Sequence, residues 1–270
     1  LFTIKFLNKR KMYNLVIISI SLGIAYLLKS NYQIFMLGII FVLVFDIMKN
    51  SNINILNIKE CLRKIKDEGK SIACFNDGEV DLVLGNTLKY QESDPKLCDK
   101  LKEILKEKQD FCIVGIPDVI NGFDNLTEES EAFWVKNMER TREKFIPYLN
   151  KEVEYGTSNI AKFYIRYKDK SHCSKYFSML KEIWKDRDVL ICEEEQTMLG
   201  VGSDLFDEAK SIRRIIFPQE NAFDKYEETM LRLKKENKEV LIILALGPIS
   251  TVLAYDLAKE RISIIRSRKF

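Results

Sequence analysis

The sequence holds a single histidine, His172, inside the polar run KDKSHCSK. Nothing around it pairs with an imidazole, so it reads as a solvated side chain rather than a ligand or a base. Cysteine is present but never in the C-x-x-C spacing of a zinc or redox site: Cys61, Cys74, Cys98, Cys112, Cys173 and Cys192 are dispersed. Cys74, Cys112 and Cys192 fall in or beside apolar strand-like runs, where a thiol behaves as a small hydrophobe, and reduced thiols suit a reducing compartment. Charge of one sign is also lacking. The 43 basic and 40 acidic side chains leave a net charge of +3, which makes no electrostatic case for a nucleic-acid partner. There is no Walker loop, no G-x-G-x-x-G turn, no internal repeat, and no low-complexity linker beyond KNSNIN at 49–54.

What is there is a chain of 270 residues with 46% hydrophobic content, ample for a globular core. It opens on Leu1 rather than methionine and is expected to be part of a longer frame. The first fifty residues differ in kind from the rest. Two apolar runs, LVIISISLGIAYLL (15–28) and IFMLGIIFVLVF (34–45), flank the polar turn KSNYQ. Each core falls short of the ~18 apolar residues of a comfortable bilayer span. Extended to Met12 and Met48, each half reaches the length of a short transmembrane helix, with tyrosines beside the turn as interfacial anchors. Lys9, Arg10 and Lys11 precede the first run, and Lys49, Lys59, Arg63 and Lys64 follow the second, which places both flanks inside. The expectation is an apolar helical hairpin over 1–50 that holds domain 51–270 at the cytoplasmic face of the cell membrane. A buried core hairpin or an interfacial anchor is the alternative, as is a plain cytoplasmic location.

From about Ile53 short apolar strands alternate with helical patterns. SIACF, FCIVGIP, DVLIC, SIRRIIF and VLIILAL read as strands, separated by helices near 95–108, 128–149, 176–185 and 222–237. This predicts an α/β domain, a Rossmann-like and mostly parallel sheet with helices on both faces, whose ligands bind at the carboxyl ends of the strands.

Four strand-end segments carry candidate chemistry. In CFNDGEVDLVLG, Asp77 and Glu79 stand two apart across a tight turn and can aim hard oxygens at Mg²⁺ or Mn²⁺. N-D-G is also an ordinary turn, and acidic residues favour a helix start, so the residues alone leave both readings open. In ALGPIST, Gly247 permits close backbone approach, Pro248 suits a helix start, and Ser250 or Thr251 can cap it, leaving amides that attract phosphate. In CEEEQTMLGVGSDLFD, Gly200 and Gly202 let the backbone bend around a ligand, and Glu193 to Glu195 offer a general base. In YGTSNIAKFYIRY, Lys162 and Arg166 are suited to an anionic ligand.

Taken in order with YQESDPKL, VGIPD, YKDKS, NAFDKY and LALGPISTVLAYDLAK, these segments resemble the bacterial GT-D-type glycosyltransferases, the group that includes glucosyltransferases extending O-glycans on serine-rich adhesins. The resemblance runs from about Asn57 to Asp256. It implies a transferase that moves a hexose from a UDP-sugar donor to a hydroxyl of a glycan or glycoprotein acceptor. It further implies a divalent cation, Mn²⁺ or Mg²⁺, on the Asp-x-Glu pair at Asp77 and Glu79. Phe75, Asn159, Lys162, Arg166, Gly200, Gly202, Asn221, Gly247 and Pro248 would then line the donor site, with Glu193 and Glu195 as catalytic carboxylates. The chain also departs from the family's pattern. Cys74 stands for an arginine, Asn76 for a glycine, Glu194 for a glycine and Met198 for an arginine, which removes two cations from the expected diphosphate site. The ending ERISIIRSRKF departs too and is expected to leave the domain C-terminally truncated, short of a strand. The alternative these departures raise is a catalytically impaired member that binds a nucleotide-sugar or a partner protein.

Overall fold

A computed structural model describes residues 53–217 and 221–266. The apolar hairpin expected over 1–50 lies outside the described residues, and among these no helix is long and apolar enough to cross a membrane. The described residues from Asn54 onward cluster as one compact unit.

Eight strands form one sheet, every pairing parallel: β1 (Ile55–Leu56), β2 (Ser71–Cys74), β3 (Cys112–Ile116), β4 (Tyr155–Thr157), β5 (Asp188–Glu194), β6 (Ser211–Phe217), β7 (Leu241–Ala245) and β8 (Ile264–Arg266). The order across the sheet is β1-β4-β3-β2-β8-β7-β5-β6. Parallel strands need crossovers, and the sequence supplies helices for them: α1 (Ile58–Glu68), α2 (Asp77–Val83), α3 (Pro95–Lys106), α4 (Glu128–Phe145), α5 (Phe163–Arg166), α6 (Cys173–Trp184), α7 (Tyr226–Leu233) and α8 (Ile249–Lys259). Local chemistry sets their starts. Asn57 and Glu60 exchange backbone hydrogen bonds in a capping box at α1, and Asp94 accepts the Leu97 amide ahead of Pro95 at α3.

Strands β2, β3 and β7 are buried along their whole length, because helices cover both faces. One face sends Ile72, Cys74, Ile113, Val189, Ile191, Leu241, Ile243 and Ile265 into a core shared with Leu62 of α1 and Trp184 of α6. On the other face α8 lies across β2, β3, β7 and β8, flanked by α3 and α7. Strand β6 ends the sheet and is mostly exposed, with Arg213 and Arg214 along it, a charged edge that resists further pairing.

The segment YGTSNIAKFYI is β4 for three residues and then turns helical at Ser158–Ala161 and in α5. One feature departs from the sequence reading: the divergent tail forms β8, inserted between β2 and β7 near the middle of the sheet. The sheet there is not short of a strand: Ile264 and Ile265 are buried and pair with both neighbours. Five of the six cysteines are buried, and loss of solvent pushes the Cys61, Cys74 and Cys192 thiols up to about 12, so they act as apolar packing groups. His172 is exposed at the start of α6 beside the Tyr176 ring.

Candidate functional site

Strand β2 has β3 on one side and β8 on the other, so the chain runs out from β2 through β3 to β4 and later returns through β7 to β8. In open parallel sheets this reversal makes a crevice at the carboxyl ends, where the turns after the central strands meet.

The turn after β2 begins α2. Asn76 occupies the N-cap, Asp77 is half-buried at the first helical position, and Glu79 is buried at the third. One Glu79 oxygen accepts the Asn76 amide at 2.8 Å. The other forms an ion pair with Arg266, the last residue of β8. Both side chains of that pair are almost wholly shielded, Glu79 at 1% and Arg266 at 3% exposure. Thr251 of α8 donates to the Cys74 carbonyl at 2.7 Å and lies 3.5 Å from the same Glu79 oxygen. Asp81 receives the Arg140 guanidinium at two points, 2.5 and 2.9 Å, and the Asn86 amide at 2.9 Å. Partial burial works against its ionisation, but Arg140 and Asn86 outweigh it and hold the carboxyl below its ordinary range.

The turn after β7 packs against this one. Pro248 lies 4.0 Å from the position a Cβ would take on Gly78. Gly247 has φ +63, a conformation that strains any residue with a side chain, and a Cβ there would come 3.6 Å from the Glu194 carboxylate at the end of β5. The Ser250 hydroxyl accepts the Leu246 amide at 2.7 Å and fixes the entry to α8. Thus the turns after β2, β7 and β5 meet at the carboxyl ends of the strands, Gly78 against Pro248 and Gly247 against Glu194.

Within that last segment the three carboxylates differ. Glu193 is buried, accepts the Leu199 amide at 2.7 Å and pairs with Arg214 of β6, which also donates to the Leu199 carbonyl at 2.8 Å. These bonds hold the loop and commit both Glu193 oxygens, so its geometry is that of a loop clamp rather than of a base. Glu194 is half-buried and Glu195 exposed. Gly200 sits where a Cβ would come within 2.6 Å of the Phe206 ring, so its role is close packing, whereas Gly202 has open space around it. Met198, at the position of an expected cation, is 60% exposed.

The remaining expected donor contacts have the following surroundings. Phe75 is fully buried in the core. Arg166 stacks 5.4 Å from the Phe133 and Trp134 rings. Lys162 is half-buried between two helical turns. Asn221, at φ 45, ties the 90–92 loop by donating its amide to the Tyr90 carbonyl and accepting the Glu92 amide. Asn159 joins a cluster the sequence did not reveal: its amide donates to Asp118 at 2.9 Å, Thr157 donates to Asp118 at 3.1 Å, and the Tyr167 hydroxyl also bonds Asp118. Burial pushes the Asp118 carboxyl above its ordinary range against the pull of these donors. Only its place after β3, in VGIPD, could have marked it.

A cation held by Asp77 and Glu79 needs carboxylate oxygens turned to one point. Glu79 faces Arg266 instead, and among the described residues no group of three or more His, Cys, Asp or Glu is arranged to hold a metal. In this arrangement the pair does not fit a two-carboxylate cation clamp.

Comparison with known proteins identifies the family to which this fold belongs. Residues 72–266 match the family described as glycosyltransferase GT-D fold, and the chain belongs to that family. It is 35% identical over 209 residues to a probable glycosyl transferase Gly of Streptococcus gordonii and 34% identical over 208 residues to glycosyltransferase GlyD of Streptococcus pneumoniae serotype 4. Each match covers 77% of this chain but only 30% and 25% of those proteins, so the chain spans less than a third of their length. Among solved structures, it superposes with TM-score 0.75 and 35% identity on a domain of unknown function 1792 described as having a distinct glycosyltransferase fold, covering 82% of this chain and 80% of that one. A glycosyltransferase from Streptococcus sanguinis with the same domain gives TM-score 0.74 at 36% identity, covering 79% and 80%.

Proposed function

We propose that this chain transfers a hexose from a UDP-sugar to a hydroxyl of a glycan or glycoprotein acceptor. The observation that carries the reading is the convergence of three strand-end turns, after β2, β5 and β7, on the crevice of a glycosyltransferase fold. The Gly247 turn brings backbone close to a ligand, and the amino end of α8 behind it favours the negative diphosphate. The acceptor oxygen attacks the anomeric carbon as the bond to the diphosphate breaks, and the acceptor proton must be taken up. We assign that proton to Glu195, the exposed carboxylate of a segment whose neighbour Glu193 is committed to the loop clamp. The apolar runs 15–28 and 34–45 support a tether at the cytoplasmic face of the cell membrane. Release of the full chain by a carbonate wash of membranes would overturn the tether.

A second reading, binding of nucleotide-sugar without turnover, is favoured by one observation: Cys74 and Met198 stand at positions where cations were expected, the first buried among apolar groups and the second exposed. One experiment separates the two. Purified protein is incubated with a panel of UDP-sugars, with and without glycan acceptors, in Mn²⁺ and separately in EDTA, while UDP release and UDP-sugar binding are measured. Acceptor-stimulated release supports transfer, binding without release supports the second reading, and neither defeats both.

A further inference from the structure

The Asp77-x-Glu79 pair marks the family's expected cation site, yet in this chain a side chain already carries a positive charge to it. Ile265 of β8 pairs with Ile72 of β2, which sets Arg266 at the carboxyl end of the sheet beside the start of α2. Its guanidinium meets Glu79 where neither group reaches water. Arg266 Nε is buried with no hydrogen-bond partner among the described residues, so the residue is held there for its charge on Glu79 rather than by a saturated set of bonds.

The electrostatics then run against a metal. A divalent cation approaching Glu79 meets a fixed like charge within ion-pair distance, in surroundings too dry to screen it. To take over the carboxylate it must expel the guanidinium, leaving an uncompensated buried cation. The second Glu79 oxygen is held by the Asn76 amide. That leaves Asp77 as a single carboxylate for an ion that prefers six or more oxygen ligands or a nearly complete water shell. Resting on the donor-binding reading above, we propose that Arg266 replaces the divalent cation at this turn as a built-in countercharge. It is a positioning residue: it holds Glu79, which holds the amide that opens α2 and so places Asp77. Nucleotide binding in the crevice is accordingly independent of metal, and removing the guanidinium exposes a latent cation site.

The test uses the full chain and two probes. Mn²⁺ alone is titrated into wild type, Asp77→Asn, Arg266→Ser and Arg266→Ser/Asp77→Asn, with free Mn²⁺ followed by electron paramagnetic resonance. UDP is titrated calorimetrically into wild type in EDTA and in Mn²⁺. The proposal expects wild type to bind Mn²⁺ no better than Asp77→Asn, Arg266→Ser to bind it about tenfold or more tightly, and the double variant to lose that gain. It also expects wild-type UDP affinity to be unchanged by EDTA. Tight Mn²⁺ binding by wild type that Asp77→Asn abolishes would overturn it, as would UDP binding that requires Mn²⁺. If Arg266→Ser does not fold, the wild-type and Asp77→Asn titrations still decide. UDP binding in neither buffer would defeat the donor-binding reading instead, while the Mn²⁺ titrations would continue to judge the role of Arg266.

Discussion

Glu193 of β5 and Arg214 of the adjacent edge strand β6 close on Leu199 from both sides: the carboxylate takes its amide and the guanidinium its carbonyl. A loop that carries two glycines is thereby fixed at its middle to two strands of the sheet. The same pair explains how a segment of three consecutive glutamates divides its labour, one carboxylate buried for structure and one left at the surface.

Replacing Arg214 by methionine keeps much of the apolar stem but strands the Glu193 charge in a buried site. A loss of about 2–3 kcal/mol in unfolding free energy is expected, at and just below the lower end of the range for a broken buried pair because Arg214 is itself 28% exposed. Urea denaturation measures it, and limited proteolysis should find new cleavage between 195 and 204. A variant as stable and as resistant as the parent would show that the clamp does not hold the loop.

Gly247→Ala places a side chain at φ +63 and toward Glu194. The strain costs on the order of 1 kcal/mol in stability. UDP affinity should fall more than stability does, since the backbone approach at this turn is what the ligand uses. Equal affinity in calorimetry would remove the turn from the donor site.

Asp118 makes a pH-dependent contribution whose sign follows from its burial. Its carboxyl is raised in the folded state, so the folded chain binds its proton more readily than the unfolded chain does. Stability from this group is therefore present at acid pH, below about 4 where the unfolded carboxyl titrates, and declines as pH rises through the folded value. Asp118→Asn should flatten that part of the stability profile, measured by urea midpoints across mildly acid to neutral pH. A profile with unchanged slope would mean that another carboxyl dominates it.

Glu195→Gln should lower turnover by about a hundredfold or more while leaving UDP-sugar binding near its parental value, the pattern of a lost general base. Loss of binding in proportion to turnover would make Glu195 a donor contact instead.

Much of this was legible in the residues because it is local. Apolar runs of four to seven residues announced β2, β3, β5, β6 and β7. The turn chemistry of Asn76 to Glu79 and of Gly247 to Pro248 marked two of the three loops that meet at the crevice. Strands as short as β1 and β8 left no period to detect. Nothing local marks Arg214 or Asp118, whose partners come from segments distant in the chain.

The sequence by itself determined the order of the longer strands and their helices, the strand-end positions of Asp77, Glu79 and Gly247, and membership of a glycosyltransferase family. Only the tertiary structure decided what Glu79 does. Arg266 is 187 residues away along the chain, and no periodicity or motif connects the two. They meet because β8 inserts beside β2, and once both are shielded from water the ion pair is the arrangement that leaves neither charge uncompensated.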